Sequence, residues 1–298
     1  MHVPKLGLGC APLANLYQTI PDAQAQALIE FALAHGVNFF DTAPLYGAGL
    51  SEQRLGRVLS QVPRDSFILA SKVGRLVQPD GSMSLDFSRA GVLRSLEESL
   101  SRLKLDRIDI VHIHDPEDLT EQAIQEAFPA LAELRAQGVI KAIGVGSRLW
   151  RIQMEFVART EIDCFLLAGR YTLLEQQARP LLDLCLQNHI QIFMGGVYNS
   201  GILATGPIQG AKYDYADAPE FLMERARQLQ ALCDGYGVPL RTAAAQFPLR
   251  HPAITSLVIG AQSATEFAQT IESVNAPVPP SLWHDVEALR STWPADET

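Results

Sequence analysis

Short apolar runs alternate with longer amphipathic segments along the whole chain, and this rhythm restricts the fold more than any other feature. Repeated strand–helix units imply a parallel sheet covered on both faces. Eight runs read as strands: residues 6–9, 37–41, 67–72, 108–114, 140–145, 164–168, 190–194 and 256–259. Helical patterns fill the intervals, among them 22–34, 88–103, 119–137, 175–188 and 219–236. Gly36, Gly138 and Gly237 fall where a helix end needs a left-handed residue.

Eight such units build either an open doubly wound sheet or a closed barrel. The open sheet wants G-x-G-x-x-G after its first strand. Here Gly7-Leu8-Gly9-Cys10-Ala11-Pro12 lacks the third glycine and runs into proline, so the expected fold is a (β/α)8 barrel. A chain of 298 residues suits one barrel of this kind, which commonly takes about 250 residues, and no linker divides residues 1–298. Two long stretches, 75–87 and 198–217, are expected to wall a pocket, since long loops in compact domains are usually functional.

Composition removes several function classes. The net charge is −9 and the 24 Lys and Arg residues are scattered, which argues against nucleic acid and anionic membranes as partners. Cys10, Cys164, Cys185 and Cys233 form no C-x-x-C, so neither a disulfide framework nor a zinc site is expected. The amino-terminal residues lack a signal-peptide core and no apolar stretch is long enough to span a bilayer. The expectation is a cytoplasmic protein acting on a small-molecule substrate.

Polar residues end three of the apolar runs: Asp41, Lys72 and His114. In a (β/α)8 barrel the carboxyl ends of the strands carry the active site. By strand alternation Phe39 and Asp41 share a face, as do Ala70 and Lys72, and Ile110, His112 and His114. Tyr46 follows Asp41 in a turn bounded by Pro44 and Gly47, close enough to fold over the same mouth. A tyrosine hydroxyl has an ordinary pKa near 10 and needs a nearby cation to exchange protons at neutral pH. Lys72 at about 4 Å, with an effective dielectric near 20, would supply roughly 4 kcal/mol, or about three pKa units, before opposing charges are subtracted. Asp41 would hold the lysine, and His114 would hydrogen-bond the reacting oxygen.

This set resembles the Asp, Tyr, Lys and His tetrad of the aldo-keto reductase superfamily. Supporting segments run along nearly the whole chain: Gly36-Val37-Asn38-Phe39-Phe40-Asp41-Thr42-Ala43, Ser51-Glu52-Gln53-Arg54-Leu55-Gly56, His114-Asp115-Pro116 and Gly138-Val139-Ile140-Lys141-Ala142-Ile143-Gly144-Val145. Residues 168–174 and 198–203 look like the sugar and pyridoxal dehydrogenase branch, which includes L-fucose, L-galactose and D-threo-aldose 1-dehydrogenases. The resemblance implies hydride transfer between a nicotinamide dinucleotide and a carbonyl or lactol carbon, with Tyr46 exchanging the proton. In oxidation the product is a lactone; the rivals are an NADPH-dependent carbonyl or pyridoxal reductase and a cofactor-binding regulatory subunit.

The same resemblance assigns the cofactor to Ser147, Arg148, Tyr198, Asn199, Ser200, Gly201, Leu203, Gly260, Gln262, Ser263 and Glu266. The usual Ser-Asn that holds the carboxamide stands here as Gly146-Ser147 or Ser147-Arg148, and the usual glutamine of the sixth strand falls near Ala168. Tyr198 is the candidate aromatic for nicotinamide stacking, unless a shift of two places Gly196 there. Relatives that prefer NADPH carry a basic residue near Gln262 and an arginine near Ala268; this chain has neither, which favours NAD over NADP. No metal is expected. His112 and His114 form an H-x-H, but the other histidines do not sit at strand ends, and His112 is read as a hydrogen-bonded core residue. Arg170, Trp150 and Tyr213-Asp214-Tyr215 are left outside the catalytic set.

Overall fold

Eight parallel strands close into a barrel in the computed structural model, which describes residues 2–16 and 18–294. They are β1 (Leu6–Gly9), β2 (Phe39–Asp41), β3 (Ile68–Val73), β4 (Ile110–His114), β5 (Ala142–Ser147), β6 (Cys164–Ala168), β7 (Gln191–Gly195) and β8 (Ile254–Gly260). Each pairs with its sequence neighbours, and β1 closes the ring on β8 through Leu6 to Leu257 and Gly9 to Gly260. β1 and β6 coincide with the expected runs, and the other six differ from them by one or two residues at one or both ends.

Strand alternation divides the core in two. Phe39, Ala70, Ile110, Ala142, Cys164, Leu166, Phe193 and Val258 point inward and fill the barrel, with the Phe39 and Phe193 rings meeting edge-on at 5.4 Å. Their neighbours point outward and pack under the helices. Burial of both faces is what the near-continuous apolar runs require.

Helix ends follow local chemistry. Ser88 caps Arg89–Leu103, its Oγ accepting from Gly91 N at 3.1 Å, and Gly36 takes φ +76° after Asp22–Ala34. Two expected helices are modified. The 119–137 pattern holds a π-turn at Ala123–Ala127 before Phe128–Ala136; Pro129 lacks the N–H that would continue the ordinary ladder. The helix expected over 175–188 runs only over Arg179–Gln187. Thr172 Oγ1 instead accepts from Leu174 N and Glu175 N in the preceding turn, and Pro180 suits only a first helical turn.

Both long stretches are ordered. Arg75–Val77 pairs with Met83–Leu85 as a hairpin, pinned by Phe87, which lies so close to Gly74 that a Cβ there would meet its ring at 2.0 Å. The second stretch forms the short helix Ile202–Thr205 and a hairpin of Lys212–Tyr213 with Ala216–Asp217.

Candidate active site

β2 and β3 bring a carboxylate and an ammonium together at the barrel mouth. Asp41 pairs in register with Ala70, so Lys72 stands one inward position higher on the adjacent strand. Its Nζ donates to Asp41 Oδ1 at 2.6 Å and to Thr42 O at 2.8 Å, with both side chains buried. The chain then turns back: Tyr46 N donates to Ala43 O at 3.1 Å, and Gly47 takes φ +60° where a Cβ would press on Ala14 at 2.9 Å. This places the Tyr46 ring centroid 4.8 Å from Lys72 Nζ. His114, at the end of β4, meets that ring edge-on at 6.0 Å. The four residues singled out from the sequence therefore converge.

Their electrostatics correct one expectation. Burial pushes the Tyr46 phenol up to about 12; Lys72 pulls it down, but Asp41 and Asp115 oppose the lysine. The anticipated net lowering does not occur, because desolvation of the phenolate outweighs the single cation. Burial also works against the charge on Lys72, yet Asp41 and Tyr46 hold its pKa above the ordinary lysine value. Burial raises the Asp41 carboxyl against the pull of Lys72, and its Oδ2 has no partner. Burial, Lys72 and Arg75 drive the His114 pKa well below the ordinary histidine range, so the ring is a neutral imidazole. Its Nδ1 is unpartnered and its Nε2 lies 3.7 Å from Asp115 Oδ2.

His112 also differs from expectation. It is fully buried, and neither ring nitrogen has a hydrogen-bond partner. The ring leans across β5, where a Cβ on Gly144 would come within 2.1 Å of Nδ1. Among the described residues no three His, Cys, Asp or Glu side chains are grouped as metal ligands.

A cavity of about 450 Å³ opens above the four residues. Tyr46, Lys72 and His114 line it with Asp115, Ser147, Arg148, Leu166 and Tyr215. Of the two expected walls, only the second contributes, through Tyr215; none of residues 75–87 reaches the cavity. Phe87 and Leu76 are instead drawn into the core, while Arg75 supports the mouth from behind, 3.4 Å from Asp115 Oδ2. Tyr215 belongs to the 198–217 stretch expected to wall the pocket; Asp115 is not marked by spacing, and the clue to it is its place beside His114.

The residues assigned to the cofactor occupy the ends of β5, β7 and β8. Ser147 Oγ donates to Glu117 Oε1 at 2.6 Å, and Arg148 lies 3.5 Å from Asp214. Asn199 Nδ2 donates to Glu175 Oε1 at 2.8 Å, Ser200 Oγ accepts from Tyr215 N at 3.1 Å, and Gly201 N and Leu203 N both donate to Tyr198 O. After β8, Gly260 packs against Pro12, Ser263 Oγ accepts from Glu266 N at 3.2 Å, and Glu266 Oε2 accepts from Gln262 N at 2.8 Å. Tyr198 does not line the cavity; Arg241 and Thr270 lie near its hydroxyl. Arg170 and Trp150 stay outside the cavity too, Arg170 being paired with Glu175 at 3.2 Å and with Asp214.

Residues 5–291 match the model of the aldo/keto reductase family. D-threo-aldose 1-dehydrogenase of Pseudomonas sp. is 39% identical over 97% of this chain and 95% of its own length. Pyridoxal 4-dehydrogenase of Microbacterium luteolum is 36% identical over 95% of this chain and 93% of its own. The holo form of an aldo-keto reductase from Bacillus halodurans superposes with a TM-score of 0.83 at 25% identity, covering 100% of this chain and 95% of that one.

Proposed function

The chain belongs to the aldo-keto reductase family, and from that premise we propose that it is an aldose 1-dehydrogenase that oxidises a sugar at its anomeric carbon to a lactone, with NAD preferred. The observation that carries this reading is the Lys72–Asp41 pair held 4.8 Å beneath the Tyr46 ring at the floor of an open cavity. The dinucleotide supplies a hydride acceptor in oxidation and a hydride donor in reduction. The fit is supported by the unpartnered, buried amide nitrogen of Gln262 in the segment after β8, beside the candidate residues Gly260, Ser263 and Glu266.

The work of the protein's own groups follows from their charges. In oxidation the Tyr46 oxygen takes the proton of the anomeric hydroxyl while the C–H electron pair leaves as hydride, and the C–O bond becomes a carbonyl. Lys72 stabilises the phenolate that must form first, and Asp41 keeps Lys72 charged and in place. Neutral His114 hydrogen-bonds the reacting oxygen and fixes its orientation. NAD preference is supported by Gln262 and Ala268 standing where NADPH-dependent relatives place basic groups; a lost charge-assisted contact is worth about 1.5 to 3 kcal/mol. A cytoplasmic setting is supported by four buried free thiols, and among the described residues no helix is long and apolar enough to cross a membrane.

A second reading has its own observation. A phenol with a pKa raised to about 12 is an acid at neutral pH, which suits reduction of an aldehyde or pyridoxal with NADPH. Initial rates with NAD and NADP against L-fucose, L-galactose, D-arabinose and pyridoxal, with lactone detected as product, separate the two. Lactone formation with NAD is the expected result; NADPH consumption with aldehydes and no sugar oxidation replaces the first reading with the second.

A further inference from the structure

Among the described residues, Asp115 is the only acid that lines the catalytic cavity, beside Tyr46, Lys72 and His114. Its backbone is fixed from several sides. Asp115 N donates to Gly146 O at 2.9 Å, Arg75 Nη2 donates to Asp115 O at 3.4 Å, and Pro116 follows. In that grip Asp115 takes φ +44°, a left-handed conformation that residues with a side chain seldom adopt and that a following proline restricts further. Such strain persists only where the surroundings impose it, and it gathers at sites that handle ligands. Here it sets Asp115 Oδ2 3.7 Å from His114 Nε2.

The carboxylate itself is held loosely. Its ion pair with Arg75 is long, at 3.4 Å, and the side chain keeps 31% of its surface open. No described residue donates a hydrogen bond to either of its oxygens. The Tyr46 phenol feels the Asp115 charge, and Asp115 in turn feels the Lys72 and Arg148 cations, so its free acceptors face the space in which a molecule reacting at Tyr46 lies. A carboxylate in this state is complementary to hydroxyl groups. A simple alkyl aldehyde brings none and leaves it unsatisfied.

We propose that Asp115 is a specificity-determining residue that accepts hydrogen bonds from sugar hydroxyls other than the reacting one, and so selects polyhydroxylated substrates over simple aldehydes and alcohols. The reacting oxygen sits at Tyr46 and His114, and Asp115 adjoins His114, so hydroxyls on the neighbouring ring carbons are the ones it meets. The inference rests on the aldose reading above and adds to it the side chain that reads the rest of the sugar.

The test measures kcat/KM for a sugar that the wild type oxidises and for its 2-, 3- and 4-deoxy forms, in wild type, Asp115→Asn and Asp115→Ala, with circular dichroism to verify folding. In wild type at least one deoxy form is expected to lose about ten- to a hundredfold, the range of a charge-assisted hydrogen bond. In Asp115→Ala the parent sugar should lose a similar factor and its advantage over that deoxy form should all but vanish. Asp115→Asn, which keeps a neutral acceptor, should lie between. A merely structural role lowers all these substrates by one factor, so an intact deoxy ratio in the folded variants overturns the proposal and leaves the aldose reading standing. The same follows if the wild type oxidises every deoxy form as well as the parent sugar, a result that needs no variant to fold. Failure of the wild type to oxidise any sugar with either dinucleotide overturns the aldose reading and the proposal with it.

Discussion

The two ends of the barrel each bury a carboxylate against a cation, and they use it in opposite ways. At the amino end Asp109 Oδ2 accepts from Leu69 N at 2.9 Å and from Arg64 at 2.6 Å, while Lys141 Nζ lies 2.8 Å from Oδ1. Burial raises its pKa, but Lys141, Leu69 N and Arg64 together bring it below the ordinary aspartate value. Asp163 repeats the device one strand pair on, accepting from Ile143 N at 2.8 Å and from Arg135. At the carboxyl end Asp41 has one cation and a raised pKa. The first arrangement ties neighbouring strands together. The second leaves charge incompletely compensated beside a phenol, which is the condition for moving a proton.

Breaking the carboxyl-end pair should produce the largest effect. Lys72→Met is expected to lower kcat by about a thousandfold, in the range of positioned acid–base catalysis, and to cost about 3 kcal/mol of stability because Asp41 is left buried and unpaired. The double variant Asp41→Asn/Lys72→Met should recover most of that stability and none of the activity; recovered turnover would sever the pair from the chemistry. Thermal denaturation and steady-state rates read both quantities.

Asp109→Asn should do the reverse. Stability is expected to fall by about 2 to 4 kcal/mol, with kcat of the folded enzyme unchanged. Because the folded pKa of Asp109 is depressed, its contribution is fully present above the unfolded value near 3.9 and disappears as the pH falls through the folded value. The gap between wild type and variant in urea denaturation should therefore narrow below about pH 4. A gap that is constant with pH would show that the charge of Asp109 is not what stabilises the amino end.

Which parts of this contrast are legible in the sequence depends on how local their causes are. Asp41, Lys72 and His114 stand out because a polar residue ending an apolar run violates the pattern of its own strand. Gly36, Gly138 and Gly237 announce helix ends for the same reason, and each takes positive φ. By contrast, the length of the 198–217 stretch announces a wall but not that Tyr215 is the residue of it that reaches the cavity, because that depends on packing between segments far apart in the chain. The direction of the Tyr46 pKa is not legible in the sequence because charge can be counted along a chain and depth of burial cannot.

Two smaller effects sharpen the comparison. Oxidation of substrate should rise with pH by up to tenfold per unit toward about 12, the value to which burial pushes Tyr46, while reduction should stay flat across the neutral range. Loss of the Lys72 charge removes an influence that lowers this pKa, so Lys72→Met should shift the oxidative limb to still higher pH. Gly144→Ala forces its Cβ toward His112 Nδ1 and should cost about 1 to 3 kcal/mol. Most of that should return in Gly144→Ala/His112→Ala, as measured by melting temperature.

The account stands on Tyr46 as the proton-exchanging group above the Lys72–Asp41 pair. The most direct test compares wild type with Tyr46→Phe in single-turnover reactions on a sugar the wild type oxidises, with dinucleotide affinity measured in parallel. Loss of turnover by about a thousandfold with affinity unchanged is the predicted result. Turnover within a few fold of wild type would contradict the account and place the proton transfer on another group.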